Sequence, residues 1–164
     1  RTIISNGFSK AFAMTGWRLG ALIGPETIIE RMAALLETTS SCVPPFIQKA
    51  GIEAIKGDQT PAKKMYNEFK QRRDILVDGL NSIRGISCVK PSGAFYVFAN
   101  IKDTNMSSEE FADYILEDAS VAILPGTDFG KFGEGYVRLC YATNLTNILE
   151  ALKRIKTSLD KISM

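Results

Sequence analysis

The sequence of 164 residues contains no histidine. This absence excludes serine–histidine triads, histidine general bases and most zinc sites, so acid–base chemistry must use lysine, a carboxylate, tyrosine or a cofactor. Cysteine is also scarce: Cys42, Cys88 and Cys140 lie far apart and are odd in number. They predict neither a disulfide framework nor a metal site, and free thiols favour a reducing cytoplasm.

Charge of one sign and long apolar runs are equally absent. The 20 basic and 18 acidic residues leave a net charge of +2, which gives no reason to expect nucleic acid as a partner. No apolar run approaches the roughly 20 residues that span a bilayer, so a membrane is not expected either. With 45% hydrophobic and 23% charged residues, the composition is typical of a soluble globular protein, which we expect to be cytoplasmic.

The first residues predict two strands. The segment Thr2-Ile3-Ile4-Ser5 has the composition of a buried strand, and because the chain begins inside it, we expect a fragment of a longer protein. A second strand is predicted within Gly16–Gly24 from the alternation of Trp17, Leu19, Ala21 and Ile23.

Helices are predicted next. Gly24-Pro25 predicts the start of one helix, and a second is expected from about Pro45 to Gly57. Thr60-Pro61 then predicts a long helix capped by Thr60, with Gly85 expected to end it in a left-handed conformation.

Short strands and helices alternate after Gly85. Ser107 to Glu110 matches a capping box, and Asn144 is expected to cap a final helix. The core face predicted for that helix comprises Leu145, Ile148, Leu149, Leu152, Ile155 and Leu159. The predicted strands are Ile86–Lys90, Ala94–Phe98, Val121–Leu124 and Tyr136–Tyr141. These elements predict an α/β two-layer domain.

The segment between the first two strands carries the candidate chemistry. Lys10 lies in a small, mostly apolar loop beside Phe8 and Phe12, where desolvation would favour the neutral, nucleophilic amine. Arg18 follows shortly after and could bind phosphate through two hydrogen bonds, with Ser9 as a further donor. Taken singly, Lys10 is better interpreted as a structural residue and Arg18 as a surface charge on a strand.

In combination, Ser9-Lys10 and Met14-Thr15-Gly16-Trp17-Arg18-Leu19-Gly20 resemble the cofactor-lysine signature of class I/II aminotransferases, the aspartate-aminotransferase-like enzymes of fold type I. The resemblance implies that pyridoxal 5'-phosphate (PLP) is the cofactor. It further implies that Lys10 binds the cofactor covalently and acts as catalytic acid–base, while Arg18 and Ser9 bind its phosphate. Gly7 departs from family members that have a further serine there, three residues before the lysine, so one phosphate ligand is either missing or replaced by Ser5 or another group.

The resemblance continues to the end of the chain. Gln71–Asp74 resembles a charged motif of the family's long interdomain helix, and Pro91–Tyr96 resembles the start of a small-domain strand near the substrate. Pro125–Gly130 resembles a loop that closes over the site, and Gly135–Leu139 resembles the strand whose arginine binds the substrate α-carboxylate. That arginine is Arg138.

Arg138 also has a case of its own. An unpaired charge among apolar strand residues is costly, which predicts either a substrate carboxylate or a structural salt bridge as its partner. Cys140 is predicted to lie on the opposite face of the same strand, in the core. Phe95, Tyr96 and Phe129 are interpreted as core or site-lining residues.

The resemblance implies an α/β fold: the carboxy-terminal part of a fold type I PLP-dependent transferase. Residues 1–59 would end the large PLP-binding domain, 60–84 would form the interdomain helix, and 85–164 would form the small domain. A homodimer is expected, with an amino acid (aspartate or similar) and a 2-oxo acid as substrates. One branch of the family recognises a dicarboxylic substrate through an arginine downstream of the lysine. The corresponding segment here, Thr38 to Gln48, contains no arginine, which disfavours that mode of recognition without excluding aspartate.

Two alternatives stay open. One is a PLP-dependent β-eliminating lyase of the same fold, and the other is a non-catalytic fragment that folds or dimerises. Because further cofactor ligands of the family would precede Arg1, we expect this chain to be inactive alone.

Overall fold

The computed structural model describes residues 2–162. They divide into two compact units, with the boundary between Met65 and Tyr66. One helix, α4, crosses this boundary, and each unit is described separately below.

The first unit begins with a β-hairpin. Strand β1 (Ile4–Gly7) pairs antiparallel with β2 (Gly20–Ile23), and Gly7 lies opposite Gly20. A four-residue helix, α1 (Phe8–Ala11), and a 3-10 turn (Thr15–Trp17) connect the two strands. The predicted second strand is therefore wrong in its first half, because the apolar alternation from Trp17 onward passes through this turn.

The three helices predicted after the hairpin are confirmed. They are α2 (Glu26–Ser40), α3 (Pro45–Lys56) and α4 (Thr60–Asn81). The cap of α4 differs from the prediction: the Asp58 carboxylate accepts hydrogen bonds from the Thr60 amide at 2.9 Å and the Thr60 hydroxyl at 2.7 Å. Helix α4 ends before Gly85, which adopts a left-handed φ of 84° in the following turn.

The second unit contains a four-stranded antiparallel sheet with the order β3-β4-β6-β5. Its strands are β3 (Ser87–Cys88), β4 (Tyr96–Asn100), β5 (Leu124–Pro125) and β6 (Tyr136–Cys140). Helices α5 (Ser108–Ala119) and α6 (Leu145–Ile162) complete the unit. The capping box of Ser107 and Glu110 is confirmed, and so is the Asn144 cap, which accepts from the Asn147 amide at 2.7 Å.

The core lies on one face of this sheet. Val97, Ala99, Val137 and Leu139 are buried there, and they join a cluster that includes side chains of α4, α5 and α6. The two-layer α/β architecture is thus confirmed. Leu149 is an exception to the predicted core face, since 51% of it is exposed on α6.

Apolar side chains of the first unit are mostly exposed. Only Met14 and Gly51 are buried among residues 2–65, and Ile4 is 53% exposed. The prediction of a buried first strand is therefore wrong for this chain, because a two-stranded ribbon with few neighbouring elements cannot cover its own faces. Within residues 2–162, no helix has the length and apolar character needed to cross a bilayer.

Candidate active site

The β1–β2 hairpin holds three of the predicted site residues: Ser9, Lys10 and Arg18. The Phe8 amide donates to the Leu19 carbonyl at 3.1 Å, which extends the strand pairing beyond Gly7 and Gly20. Ser9 and Lys10 follow this hydrogen bond on one side, and Arg18 precedes it on the other. Pairing of the strands therefore brings the two candidate segments to the same end of the hairpin.

Lys10 is exposed, which contradicts the expected desolvation in this chain. The reason is helical geometry: Phe8 and Phe12 are four residues apart and share one face, with ring centroids 5.5 Å apart. Lys10 is two residues from each, so its side chain leaves the helix in a different direction.

Arg18 adopts a left-handed backbone conformation with φ of 52° and ψ of 41°. Such conformations are uncommon for residues other than glycine and are concentrated at functional sites. Its guanidinium donates to the Thr15 carbonyl at 3.0 Å, and the Thr15 hydroxyl donates to the Ser9 carbonyl at 3.1 Å. Thr15 thereby connects the arginine to the backbone of the lysine segment.

Donors suited to a phosphate remain in this segment. Arginine has five N–H donors, and only one hydrogen bond from Arg18 is made within residues 2–162. The Ser9 hydroxyl has no hydrogen bond to any residue that the structure describes. The hairpin therefore fits the phosphate of PLP, with Lys10 as the nearby amine.

A separate cleft of about 480 Å³ lies in the same unit. Its wall includes Met14 and Trp17 together with the acidic side chains of Glu53 and Asp58, whereas Lys10 and Arg18 do not line it. Carboxylates repel a phosphate, so this cleft does not suit the cofactor.

Arg138 lies in the second unit, on β6, opposite Phe98 on β4. Its guanidinium carbon is 4.3 Å from the ring centroid of Tyr96 and 4.2 Å from that of Phe129. We call these two rings the aromatic bracket. No carboxylate within residues 2–162 forms a salt bridge with Arg138, so the structural ion pair considered for it is not present there.

The aromatic bracket belongs to a larger aromatic face on the side of the sheet away from the core. Phe98 stacks on Tyr136 at 5.2 Å and meets the Phe129 ring edge-on at 6.3 Å. Cys140 is exposed, so its predicted core position is wrong. The error is one of strand geometry: residues 138 and 140 are two positions apart and therefore share a face.

The segment before β4 is held from helix α4. The Arg73 guanidinium donates to the Pro91 carbonyl at 3.1 Å and pairs with Asp74 at 2.8 Å, while Lys90 pairs with the same carboxylate at 2.9 Å. The hydrogen bond from Lys90, followed by that from Arg73, holds the pKa of Asp74 below its usual value. Arg73 and Asp74 thus act as anchors of this segment.

Tyr141 anchors the same segment from β6, a role that sequence reasoning missed. Its hydroxyl donates to the Ala94 carbonyl at 2.9 Å, and its amide donates to the Phe95 carbonyl at 3.0 Å. Burial raises the pKa of the Tyr141 phenol. The sequence offered one signal: a tyrosine directly after an alternating strand, where a buried ring requires a partner for its hydroxyl.

The chain is similar to known aminotransferases in sequence and in structure. The family described as aminotransferase class I and II matches residues 1–155. An aspartate aminotransferase of Pyrococcus horikoshii is 46% identical over 97% of this chain, and an aromatic-amino-acid aminotransferase of Thermococcus litoralis is 44% identical over 95% of it. The crystal structure of an aromatic aminotransferase from Pyrococcus horikoshii superposes with a TM-score of 0.94, at 44% identity over 99% of this chain and 44% of that chain.

The chain belongs to the class I and II aminotransferase family. It has the fold of the carboxy-terminal part of aspartate-aminotransferase-like enzymes of fold type I. The chain spans 41% of the Pyrococcus relative's length and 40% of the Thermococcus relative's length.

Proposed function

We propose that the intact protein that carries this chain transfers an amino group between an amino acid and a 2-oxo acid, with PLP as cofactor. The observation that supports this proposal is the β1–β2 hairpin. It holds a lysine, an arginine with unused donors and a serine hydroxyl at one end. Membership of an aminotransferase family gives that arrangement its chemistry.

Two residues of the hairpin would grip the phosphate. Arg18 and the Ser9 hydroxyl would donate hydrogen bonds to its oxygens, and charge-assisted bonds such as those from Arg18 are about twice as strong as neutral ones. The bond to the Thr15 carbonyl limits the positions that the Arg18 guanidinium can take. Cofactor affinity would therefore depend most on Arg18.

Lys10 would be the catalytic residue. Its Nζ atom would hold the cofactor covalently, and the same amine would take the substrate Cα proton and return it on the way to product. When bound, the cofactor supplies an electron sink for the negative charge that develops at Cα.

Arg138 would bind the α-carboxylate of the substrate. A guanidinium binds a planar carboxylate through two parallel hydrogen bonds, which fixes the orientation of the substrate as well as its affinity. That orientation would align the Cα–H bond for proton transfer and raise the turnover rate.

We extend the proposal to the organisation of the whole protein. Residues 1–59 would complete a large cofactor-binding domain, residues 60–84 an interdomain helix, and residues 85–164 a small domain, in a cytoplasmic homodimer. The relatives are named for aspartate and for aromatic amino acids, so we propose aspartate and aromatic amino acids as the first substrates to test. The 164-residue chain alone would have little or no activity.

The test begins with the covalent bond. We expect borohydride reduction of the intact protein in the presence of PLP to attach the cofactor to Lys10, as read by peptide mass spectrometry. Lys10→Ala should abolish labelling and turnover and leave the circular dichroism spectrum unchanged. Arg18→Ala should weaken cofactor binding most, whereas Arg138→Ala should raise the KM for amino acids and lower kcat.

The reaction itself needs a second measurement. Transamination predicts that adding a 2-oxo acid restores the starting cofactor spectrum and yields a new amino acid, whereas a β-eliminating lyase would release a 2-oxo acid and ammonia without it. Absence of any cofactor adduct on Lys10 in the intact protein would refute the proposal. It would favour a non-catalytic role for this chain.

A further inference from the structure

Two aromatic rings lie against the Arg138 guanidinium. Tyr96 and Phe129 place their ring centroids 4.3 Å and 4.2 Å from its central carbon. A guanidinium is planar, with all of its donors directed outward in the plane and little hydration of its faces. The aromatic bracket therefore contacts the guanidinium without using its N–H donors, which are the groups that can bind a ligand.

The sequence places the two rings by different means. Tyr96 pairs with Cys140 on β6, so it is the diagonal cross-strand neighbour of Arg138 on the same face of the sheet. Phe129 ends the 3-10 turn Gly126–Phe129, which follows β5. The adjoining chain folds back so closely that a Cβ atom on Gly133 would collide with the Gly126 carbonyl, which requires glycine there.

The rings are not explained by core packing. Phe129 is 48% exposed, and both Tyr96 and Arg138 lie on the face of the sheet opposite the core. Leaving a large aromatic ring half in water is unfavourable unless it serves another contact. Phe129 contacts the Phe98 ring edge-on and also the guanidinium of Arg138, a cation that has no carboxylate partner within the part of the chain that the structure describes.

We infer that Tyr96 and Phe129 are positioning residues that hold the Arg138 guanidinium in the plane in which it binds the substrate α-carboxylate. The inference rests on the proposed function, because it assigns the ligand of Arg138. Without the rings, the long arginine side chain would sample other rotamers, and part of the binding free energy would go to ordering it. Cation–π contacts of this kind correspond to about 2-fold to 30-fold in affinity per ring.

The experiment compares leucine variants with conservative ones in the intact protein. Tyr96→Leu and Phe129→Leu remove one ring each, while Tyr96→Phe and Phe129→Tyr keep the ring. Phe132→Leu is the matched control: it removes a ring 86% exposed in the same loop, which stacks on Lys131 and not on Arg138.

Three measurements distinguish a loss of guanidinium positioning from a general loss of activity or folding. The first is the KM and kcat for an amino acid. The second is the rate of single turnover with the corresponding amine that lacks the carboxylate. The third, which needs no turnover, is calorimetric binding of succinate, a carboxylate without an amine. Cofactor labelling of Lys10 is checked in every variant.

We expect each leucine variant to raise the KM for the amino acid and the Kd for succinate by about 3-fold to 10-fold. The rate with the decarboxylated amine should stay unchanged, and Tyr96→Phe, Phe129→Tyr and Phe132→Leu should match the unaltered protein. Equal losses with the amino acid and the decarboxylated amine would overturn the inference, as would unchanged succinate binding in both leucine variants.

Failure of the proposed function has a different signature. If no cofactor adduct forms on Lys10 in the unaltered protein, or if Arg138→Ala leaves succinate binding and amino-acid kinetics unchanged, the proposed role of Arg138 is wrong and the inference falls with it. If Arg138→Ala weakens binding while both leucine variants bind normally, only the inference is overturned.

Discussion

Replacing Tyr141 with phenylalanine tests whether the segment before β4, residues 90–95, affects substrate binding by Arg138. The change removes one oxygen and keeps the ring, which is 2% exposed and packs in the core. What is lost is the hydrogen bond from the hydroxyl to the Ala94 carbonyl, at 2.9 Å. Ala94 lies two residues before Tyr96, one ring of the aromatic bracket.

The expected loss of stability follows from the surroundings of that bond. A neutral hydrogen bond contributes about 0.5–1.5 kcal/mol net, and a buried acceptor left without a partner costs about 1–3 kcal/mol. Ala94 is exposed, so water can reach its carbonyl and the loss should be about 1 kcal/mol. In a protein of more than 150 residues, that corresponds to a fall in melting temperature of about 4 °C or less.

The functional effect should be separate from the stability effect. If displacement of this segment weakens substrate binding at Arg138 by half to all of that free energy, the KM for the amino acid rises by about 2-fold to 5-fold. Tyr114→Phe is the matched control, because its hydroxyl donates to the Ser158 carbonyl at 2.8 Å, away from the segment before β4. It should lower the melting temperature similarly and leave the KM unchanged.

Steady-state kinetics and thermal unfolding of both variants in the intact protein give the answer. Equal KM values for Tyr141→Phe and Tyr114→Phe would show that the segment is only structural. The raised pKa of Tyr141 adds an alkaline test: stability is complete below the ordinary value of 10 and is lost as the pH rises through the higher folded value. Tyr141→Phe should lack this component of the alkaline loss.

Two further predictions concern the loop and the helix pair of the second unit. Gly133→Ala forces a Cβ atom against the Gly126 carbonyl and should destabilise the unit by about 1–3 kcal/mol. Gly93→Ala is the control, because a Cβ atom there meets nothing within 4 Å and should leave stability unchanged. Urea unfolding of the two variants measures the difference. Asp118 accepts hydrogen bonds from Lys161 at 2.9 and 2.7 Å. Lys161 is the larger cause, and Ser158 the smaller one, of an Asp118 pKa that lies below its ordinary value of 3.8. A lowered carboxyl pKa stabilises the fold above 3.8 and loses that effect as the pH falls, so Asp118→Asn should be less stable at pH 7 and indistinguishable near pH 2. A stability gap that persists in acid, or that is unaffected by salt, would contradict this origin.

Two helix starts were among the features best predicted from sequence. Ser107 with Glu110 and Asn144 cap helices as expected, because a capping side chain acts on backbone within three residues of it. The same reasoning placed the cap of α4 on Thr60 when Asp58 accepts the bonds. Either oxygen could have served, and the sequence does not rank them.

The conformation of the hairpin connection could not be predicted. Arg18 is left-handed, a state expected of glycine, and the apolar alternation around it indicated an extended strand. The exposure of Lys10 likewise depends on backbone geometry, because α1 is helical and Phe8 and Phe12 share a face on which Lys10 does not lie. Local sequence gave the residue types of the site, and backbone geometry set their directions.

The aromatic bracket required tertiary information. Tyr96 and Phe129 lie far apart in sequence and meet at Arg138 only because β4 and β5 both pair with β6. No periodicity within a single element links them. Strand alternation does place Cys140 on the face of Arg138, so that misassignment was avoidable.

The contrast in burial between the units bears on what a bound ligand does for the protein. Strands β4 and β6 contribute to the buried core, so their amides should exchange with solvent only when the core opens, whereas the exposed β1–β2 hairpin should be protected by little beyond its own pairing. A ligand gripped by Lys10 and Arg18 adds to the opening free energy of that hairpin, by about 2.7 kcal/mol at a hundredfold excess over its Kd. PLP bound there would therefore also stabilise the hairpin, a part of the described chain that has few buried side chains.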